Sequence, residues 1–272
     1  MDAIVKKTRG RPRGTGADGA ATSVQALERA LGLLSALARN DKATLTELSL
    51  TSGMPPSSAH RLLMTLQAAR FVAFDEATSE WSVGVEAFRT GSSFLRRVRV
   101  TDAARDVMHG LVDQTGETAN IAVPDGGEVV FVSQVETTQP IRAFFGPGTR
   151  APMHSSGIGK ALLAAMSRGD VERILQRTGL PEFTPRTLTS PQALFADLDL
   201  IRARGWSLDD EERNPGMRCV GAAIFNVHGE PVAGVSISGP SARFSPDAIG
   251  EFGPVVRRAA AAITERMGGA IP

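Results

Sequence analysis

The sequence predicts an α+β protein of two domains: a small helical head closed by a β-hairpin, then a larger body of mixed strands and helices. Three observations predict it. Two short helices around a tight turn lie in TLTELSLTSGMPPSSAHRLLMTLQAAR, residues 44–70. Two short strand-like runs follow directly. After Gly116 the apolar pattern leaves helical spacing for period two.

In the 44–70 stretch, Thr44 and Glu47 have capping-box spacing, in which hydroxyl and carboxylate satisfy each other's backbone N–H. Leu45, Leu48 and Leu50 give the helix an apolar side. Gly53-Met54-Pro55 ends it, because Gly permits φ > 0 and Pro cannot continue the ladder. A second helix restarts at Pro55 or Pro56, where a missing N–H costs nothing. Its inward positions are Ala59, Leu62, Leu63 and Leu66. Its outward first turn is Ser57, Ser58, His60 and Arg61. Short polar residues and an Arg at the start of an exposed helix suit base edges and phosphates of a major groove. A solvated helix hairpin fits this stretch equally well.

The neighbouring sequence decides between them. Ser23 is placed to cap a first helix with Val24, Leu27, Ala30, Leu31, Leu34 and Leu37 on one face. Phe71–Phe74 and Glu80–Val83 read as strands around a polar turn. Three helices and a hairpin make a winged helix-turn-helix, with Ala68 and Ala69 letting the third helix meet the hairpin. Residues 1–22 are rich in Gly, Ala and cations and are expected to be disordered alone. Their Arg9-Gly10-Arg11-Pro12 is similar to an AT-hook core, whose arginines enter a narrow A·T minor groove. A generic basic tail is the blander alternative and the favoured one; both point to nucleic acid.

Val85 to Arg97 reads as a connecting helix, and Arg96, Arg97 and Arg99 as its solvated face. Thr101 is placed to cap the next helix, which stops at Gly116. Thr118–Val123 and Glu128–Val135 are strands around Asp125-Gly126-Gly127, a hairpin signal. Ile141–Phe145 is a candidate third strand. Helices are expected at Gly157–Met166, Asp170–Arg177, Pro191–Arg204 and from Ser245-Pro246 to Met267. Strands are expected at Trp206–Leu208, Arg218–Asn226 and Pro231–Ser238.

Composition excludes several classes. The chain has 272 residues, a net charge of +1 and 42% hydrophobic residues, enough for real cores. No window approaches a membrane span, and the basic N-terminus lacks the apolar run of a secretory signal. The single cysteine, Cys219, excludes an internal disulfide and fits a reducing cytoplasm. Neither a metal site nor a cofactor is expected.

Long blocks in order then carry a resemblance: SVQALERALGLLSAL, SAHRLLMTLQAARFV, TGETANIAVPDGGEVVFVSQVE, MHSSGIGKALLA, DDEERNPGMRCVGAAIFNVHGEPVAGVSISG, and FS before the last helix. The chain resembles the IclR family of bacterial transcription regulators from about Ser23 to Met267. The resemblance implies a winged helix-turn-helix over 23–84, a linker helix over 85–99 and a GAF-like α+β effector domain over 100–272. It also implies dimers or tetramers on partly palindromic DNA operators. Pro56 departs from the family pattern, where many relatives carry a cation or polar residue. That shifts weight to Ser57, Ser58, His60 and Arg61.

In relatives that sense small 2-oxo acids, the resemblance implies an effector pocket whose groups map onto Gly157, Ile158, Asp209, Cys219, Ser236 and Ser238. Glyoxylate is the first expectation and pyruvate the second. The chemistry is sensible independently. Free N–H groups at a helix start favour a carboxylate. Ser236 and Ser238, two apart on a strand, point to one face; the alternative is a solvated edge with Val235 and Ile237 buried. Asp209 must be protonated or accept a hydroxyl to sit near an anion. Cys219 reads as a small buried wall. His154 is expected to structure its loop. A ligand with so few atoms binds no tighter than about −7 to −8 kcal/mol. The rival readings are a DNA-binding architectural protein with a purely dimerising body, and an enzyme with Cys219 as nucleophile and His154 or His228 as base.

Overall fold

The computed structural model describes residues 24–97 and 100–272. Arg9, Arg11, Ser23 and Arg99 lie outside the described residues, as do the side chains of Arg96 and Arg97. The chain divides into two compact units between Ser92 and Ser93.

The first unit runs α1 (Gln25–Asn40), β1 (Lys42–Thr44), α2 (Leu45–Ser52), α3 (Pro56–Ala68), β2 (Val72–Asp75) and β3 (Glu80–Val83), then enters α4 (Val85–Arg97). The Thr44–Glu47 capping box is formed, with the Thr44 N–H donating to the Glu47 carboxylate over 2.8 Å. Gly53 ends α2 in the left-handed region, φ +64°. Leu33, Leu37, Leu48, Ala59, Leu63, Val72 and Trp81 form the core. This is the winged helix-turn-helix.

Four local expectations need correction. The buried face of α1 is Leu33, Ala36 and Leu37, while Val24, Leu27 and Leu31 are exposed. Only the C-terminal half of α1 is covered by the head. Leu50 is exposed at the end of α2. Ala68 and Ala69 are exposed. The close approach falls instead at Gly84, where a Cβ would stand 2.4 Å from the Arg70 carbonyl oxygen. The three residues of β1, too short to show a period, pair antiparallel with β3 and complete the wing.

The second unit contains α5 (Val100–Thr115), β4 (Thr118–Asp125), β5 (Glu128–Val135), β6 (Arg150–Pro152), α6 (Gly157–Ala165), α7 (Arg168–Thr178), α8 (Pro191–Arg204), β7 (Ser207–Asp210), β8 (Met217–Phe225), β9 (Pro231–Pro240) and α9 (Pro246–Arg266). Its six strands are ordered β6-β5-β4-β9-β8-β7, every pair antiparallel. Val220, Val235 and Ile237 pack with α5 and α9. A second core joins α6 and α8 to Ala122, Val129 and Phe131. Thus both faces of the sheet are buried, and alternate residues of each strand serve different layers.

Here too the differences are local. Ile141–Phe145 is not a strand: Phe145 stacks on Phe131 at 4.7 Å, while Ile141 and Phe144 are exposed. The strand beside β5 is β6, and the Ile141 carbonyl accepts instead from the Arg243 guanidinium at 3.0 Å. Helix α5 begins at Val100, so Thr101 lies within its first turn and does not cap it. No helix among the described residues is long and apolar enough to cross a membrane.

Candidate functional site

On the head, α3 carries Ser57, His60 and Arg61 exposed and Ser58 half-buried. Two apolar anchors on its opposite side, Ala59 and Leu63, fix which residues face outward. The His60 ring meets Trp81 edge-on at 6.4 Å, so the buried wing tryptophan braces it. Arg61 forms no ion pair among the described residues, leaving its guanidinium available to phosphate or base.

In the body the sheet's register assembles the remaining residues. Asp209 pairs with Cys219, Cys219 with Ser238, and Ser238 with Thr118, one residue from each of β7, β8, β9 and β4. The next row is Ser207, Gly221, Ser236, Asn120 and Gln134. Ser236 and Ser238 therefore share a face, and it is buried, not a solvated edge. These two polar rows on one buried face give a hydrogen-bonding floor.

Helix α6 starts against this floor. Ser156 caps it by accepting from the Gly159 N–H at 3.0 Å. The N–H groups of Gly157 and Ile158, at the positive end of the helix, have no partner among the described residues. Glycines allow the approach. A Cβ on Gly157 would lie 3.2 Å from the Cys219 Cβ, and one on Gly221 would lie 2.8 Å from the Ile158 nitrogen. All six residues predicted for an effector thus come together, each buried. A cavity of about 720 Å³ lies elsewhere, walled by α6, α8, β8 and α9 residues such as Ala161, Ile201, Ala222 and Arg257, and none of the six lines it.

Charge around the floor is unusual. Burial, then the neighbouring Glu212 carboxylate, pushes Asp209 up to about 7, even though its carboxylate accepts from the Glu212 N–H at 2.8 Å. Lys160 of α6 is buried and bonds the carboxylates of Asp197, at 2.8 Å, and Glu212. Among the described residues one buried Glu212 carboxylate oxygen has no partner, and neither does the buried Ser155 hydroxyl. Burial and Asp209 hold the Cys219 thiol well above its ordinary range, which disfavours the thiolate a nucleophile needs. His154 is buried and bonds the Pro181 carbonyl at 3.0 Å, ordering its loop. His228 sits on an exposed turn.

Sequence reasoning missed Asn120, Gln134, Gly221, Glu212, Lys160 and Asp197. For Asn120 a signal existed: a lone amide inside the apolar strand TANIAV. For Lys160 and Asp197, 37 residues apart, there was none. Among the described residues no cluster of three metal-ligating side chains occurs.

Comparison with known proteins agrees with both halves. Residues 26–76 match the IclR helix-turn-helix domain, and residues 92–265 match the bacterial transcriptional regulator IclR C-terminal domain. The chain is 49% identical to the HTH-type transcriptional regulator BhcR of Paracoccus denitrificans, over 90% of this chain and 88% of that one. It is 41% identical to the transcriptional repressor IclR of Escherichia coli, over 99% of both. The crystal structure of the Thermotoga maritima IclR superposes with a TM-score of 0.75 at 32% identity, covering 89% of this chain and 98% of that one. With an exposed recognition helix on a braced wing and both family domains in order, the chain belongs to the IclR family of DNA-binding bacterial transcription regulators.

Proposed function

We propose that this regulator senses a small 2-oxo acid, glyoxylate first and pyruvate next, held between the start of α6 and the polar floor of the sheet. The observation that carries the reading is the pair of amides without a partner among the described residues, Gly157 and Ile158, above the buried hydroxyls of Ser236 and Ser238. The amides supply the positive end of a helix to a carboxylate. The hydroxyls supply neutral donors, so the anion needs no buried cation of its own. Asp209 takes part as a protonated acid or as an acceptor from a hydrated aldehyde. Cys219 forms a wall close enough to Gly157 to exclude bulk.

The head reads an operator through Ser57, Ser58, His60 and Arg61, with Arg9 and Arg11 adding contacts from the basic tail. Val24 just before α1, Leu27 and Leu31 of α1, and Val85 and Phe88 of α4, are exposed apolar side chains. They support self-association into a dimer or tetramer on a two-fold operator, inside the cytoplasm. The effector then acts by its differential affinity for two arrangements of the assembly, worth ~1–3 kcal/mol.

A mobility-shift assay on the gene's own upstream region, with and without glyoxylate or pyruvate, tests the reading. Ser236→Ala with Ser238→Ala should retain the DNA shift and lose its response to ligand. A shift indifferent to either acid in the unmodified protein favours the architectural alternative. A double variant that still binds glyoxylate normally by calorimetry puts the pocket elsewhere.

A further inference from the structure

Ser238 presents a question that the effector reading leaves open: what decides whether its hydroxyl offers a proton or a lone pair to a bound anion. A serine at a buried site can turn either way. Here one neighbour restricts it. The Asn120 amide donates to the Ser238 oxygen at 3.2 Å, and the Asn120 carbonyl oxygen accepts from the Gln134 amide at 2.9 Å. These three side chains form a relay across β5, β4 and β9, with Asn120 directly opposite Gln134 in the ladder and diagonal to Ser238, two residues along β9 from its own partner Ser236. Asn120 and Ser238 are both fully buried. Because the Ser238 oxygen already accepts from Asn120, its own proton is directed away from β4. In that direction lie Cys219, its register partner on β8, and beyond it Asp209 on β7.

We propose that Asn120 is a positioning residue for effector binding: held by Gln134, it keeps the Ser238 proton turned off β4 to the Cys219 side, from which it can be offered to the ligand carboxylate. This rests on the placement of the effector between α6 and the floor. Asn120 touches no ligand atom in this assignment; it acts through Ser238. An amide suits the position because it can accept from Gln134 and donate to Ser238 at once. A carboxylate there accepts from both neighbours, turns the Ser238 proton backwards and adds negative charge behind an anion site. An apolar residue leaves Ser238 free to rotate.

The arrangement also supplies a function for a polar side chain that packing would not select. Asn120 stands between Ala119 and Ile121, which belong to the core on the α5 and α9 side. An Ala or Val at position 120 would fill the floor without needing Gln134.

A double-mutant cycle with the full-length protein tests the assignment, read by calorimetric titration with glyoxylate and, separately, pyruvate. Asn120→Ala and Ser238→Ala should each weaken the binding acid about tenfold, and the double variant should bind no more weakly than Ser238→Ala alone. A structural role for Asn120 would instead multiply the two losses, and that result overturns the assignment. So would an Asn120→Ala variant that binds as the unmodified protein does. If Asn120→Ala does not fold, Gln134→Ala serves in the same cycle: it is only part-buried, and its loss should likewise vanish in the Ser238→Ala background. An unmodified protein that binds neither acid removes the underlying pocket, and this role for Asn120 with it.

Discussion

Gly221 lies directly beneath Gly157: a Cβ at position 221 would stand 2.7 Å from the Gly157 carbonyl carbon. The absence of one methyl group thus sets how deeply the start of α6 sits on the sheet. The Ser207 hydroxyl closes the same seam by donating to the carbonyl oxygens of Gly157 and, at 3.1 Å, Gly221. A helix start clamped this way has its first N–H groups fixed before any ligand arrives, which lowers the ordering cost of binding.

Gly221→Ala should therefore separate α6 from β8. The overpacking is expected to cost about 1–3 kcal/mol of stability, measured by urea denaturation. Glyoxylate affinity should fall by more than that of Ser207→Ala, because the added methyl group intrudes at the Ile158 amide itself. Equal stability and equal ligand affinity in Gly221→Ala would show that the seam is loose.

Much of this architecture was legible in the residues. The Thr44–Glu47 box, the Gly53 break and the Pro56 start fixed the reading head, because each is a local rule acting within four residues. The row Asp209, Cys219, Ser238 was reached only through resemblance, since register between β7, β8 and β9 depends on long-range pairing. Lys160 was missed for the same reason, its partners lying on other elements, whereas Asn120 stood out as a lone amide in an apolar strand and only its partners Gln134 and Ser238 were hidden in that pairing. Leu27 and Leu31 misled in the opposite direction. Their helical spacing is real, but among the described residues both stay exposed, and periodicity reports only that a face is apolar. Ile141–Phe145 failed because aromatic residues between Pro140 and Gly146 resemble a strand, while Phe145 gains its stability from stacking on Phe131.

Asp209 gives a pH dependence whose sign can be worked out. An unfolded aspartate loses its proton near 3.8, whereas in the folded chain Asp209 keeps it to about 7. Between those values the folded state binds the extra proton, so this residue's contribution to stability falls as pH rises and levels off above about 7. Asp209→Asn should flatten that fall and stabilise the protein at pH 8 by ~2–4 kcal/mol relative to the unmodified chain, since the amide oxygen can still accept from the Glu212 N–H. Urea denaturation at intervals from pH 5 to 8 reads it. Parallel curves for the two proteins would show that another group holds the proton.

Lys160 carries a different energetic role. Burial alone would lower its pKa, but the carboxylates of Glu212 and Asp197 outweigh burial and raise it, so it stays charged. Lys160→Met removes the cation bonded to both carboxylates and should cost about 3–5 kcal/mol. Adding Glu212→Gln should recover part of that loss, because a neutral amide tolerates burial without a counter-ion. Thermal unfolding of the two variants provides the comparison. No recovery in the double variant would mean that Lys160 matters through packing of its long stem and not through its charge.

Arg61 is the residue on the head whose contribution is most cleanly separable. It is exposed on α3, forms no ion pair among the described residues and contributes nothing to the core of the head. Arg61→Ala should leave the unfolding curve of the protein within about 0.5 kcal/mol, as expected for an open surface position. Its effect belongs on DNA. If the guanidinium meets a phosphate, operator affinity should fall and the slope of log affinity against log salt should lessen by about 1, with the same loss on unrelated duplexes. If it meets a guanine edge, the loss should reach about 1–3 kcal/mol on the operator alone, and discrimination at one base pair should relax. Fluorescence anisotropy on operator and scrambled duplexes across a salt series distinguishes the two, and unchanged affinity on both removes Arg61 from the interface.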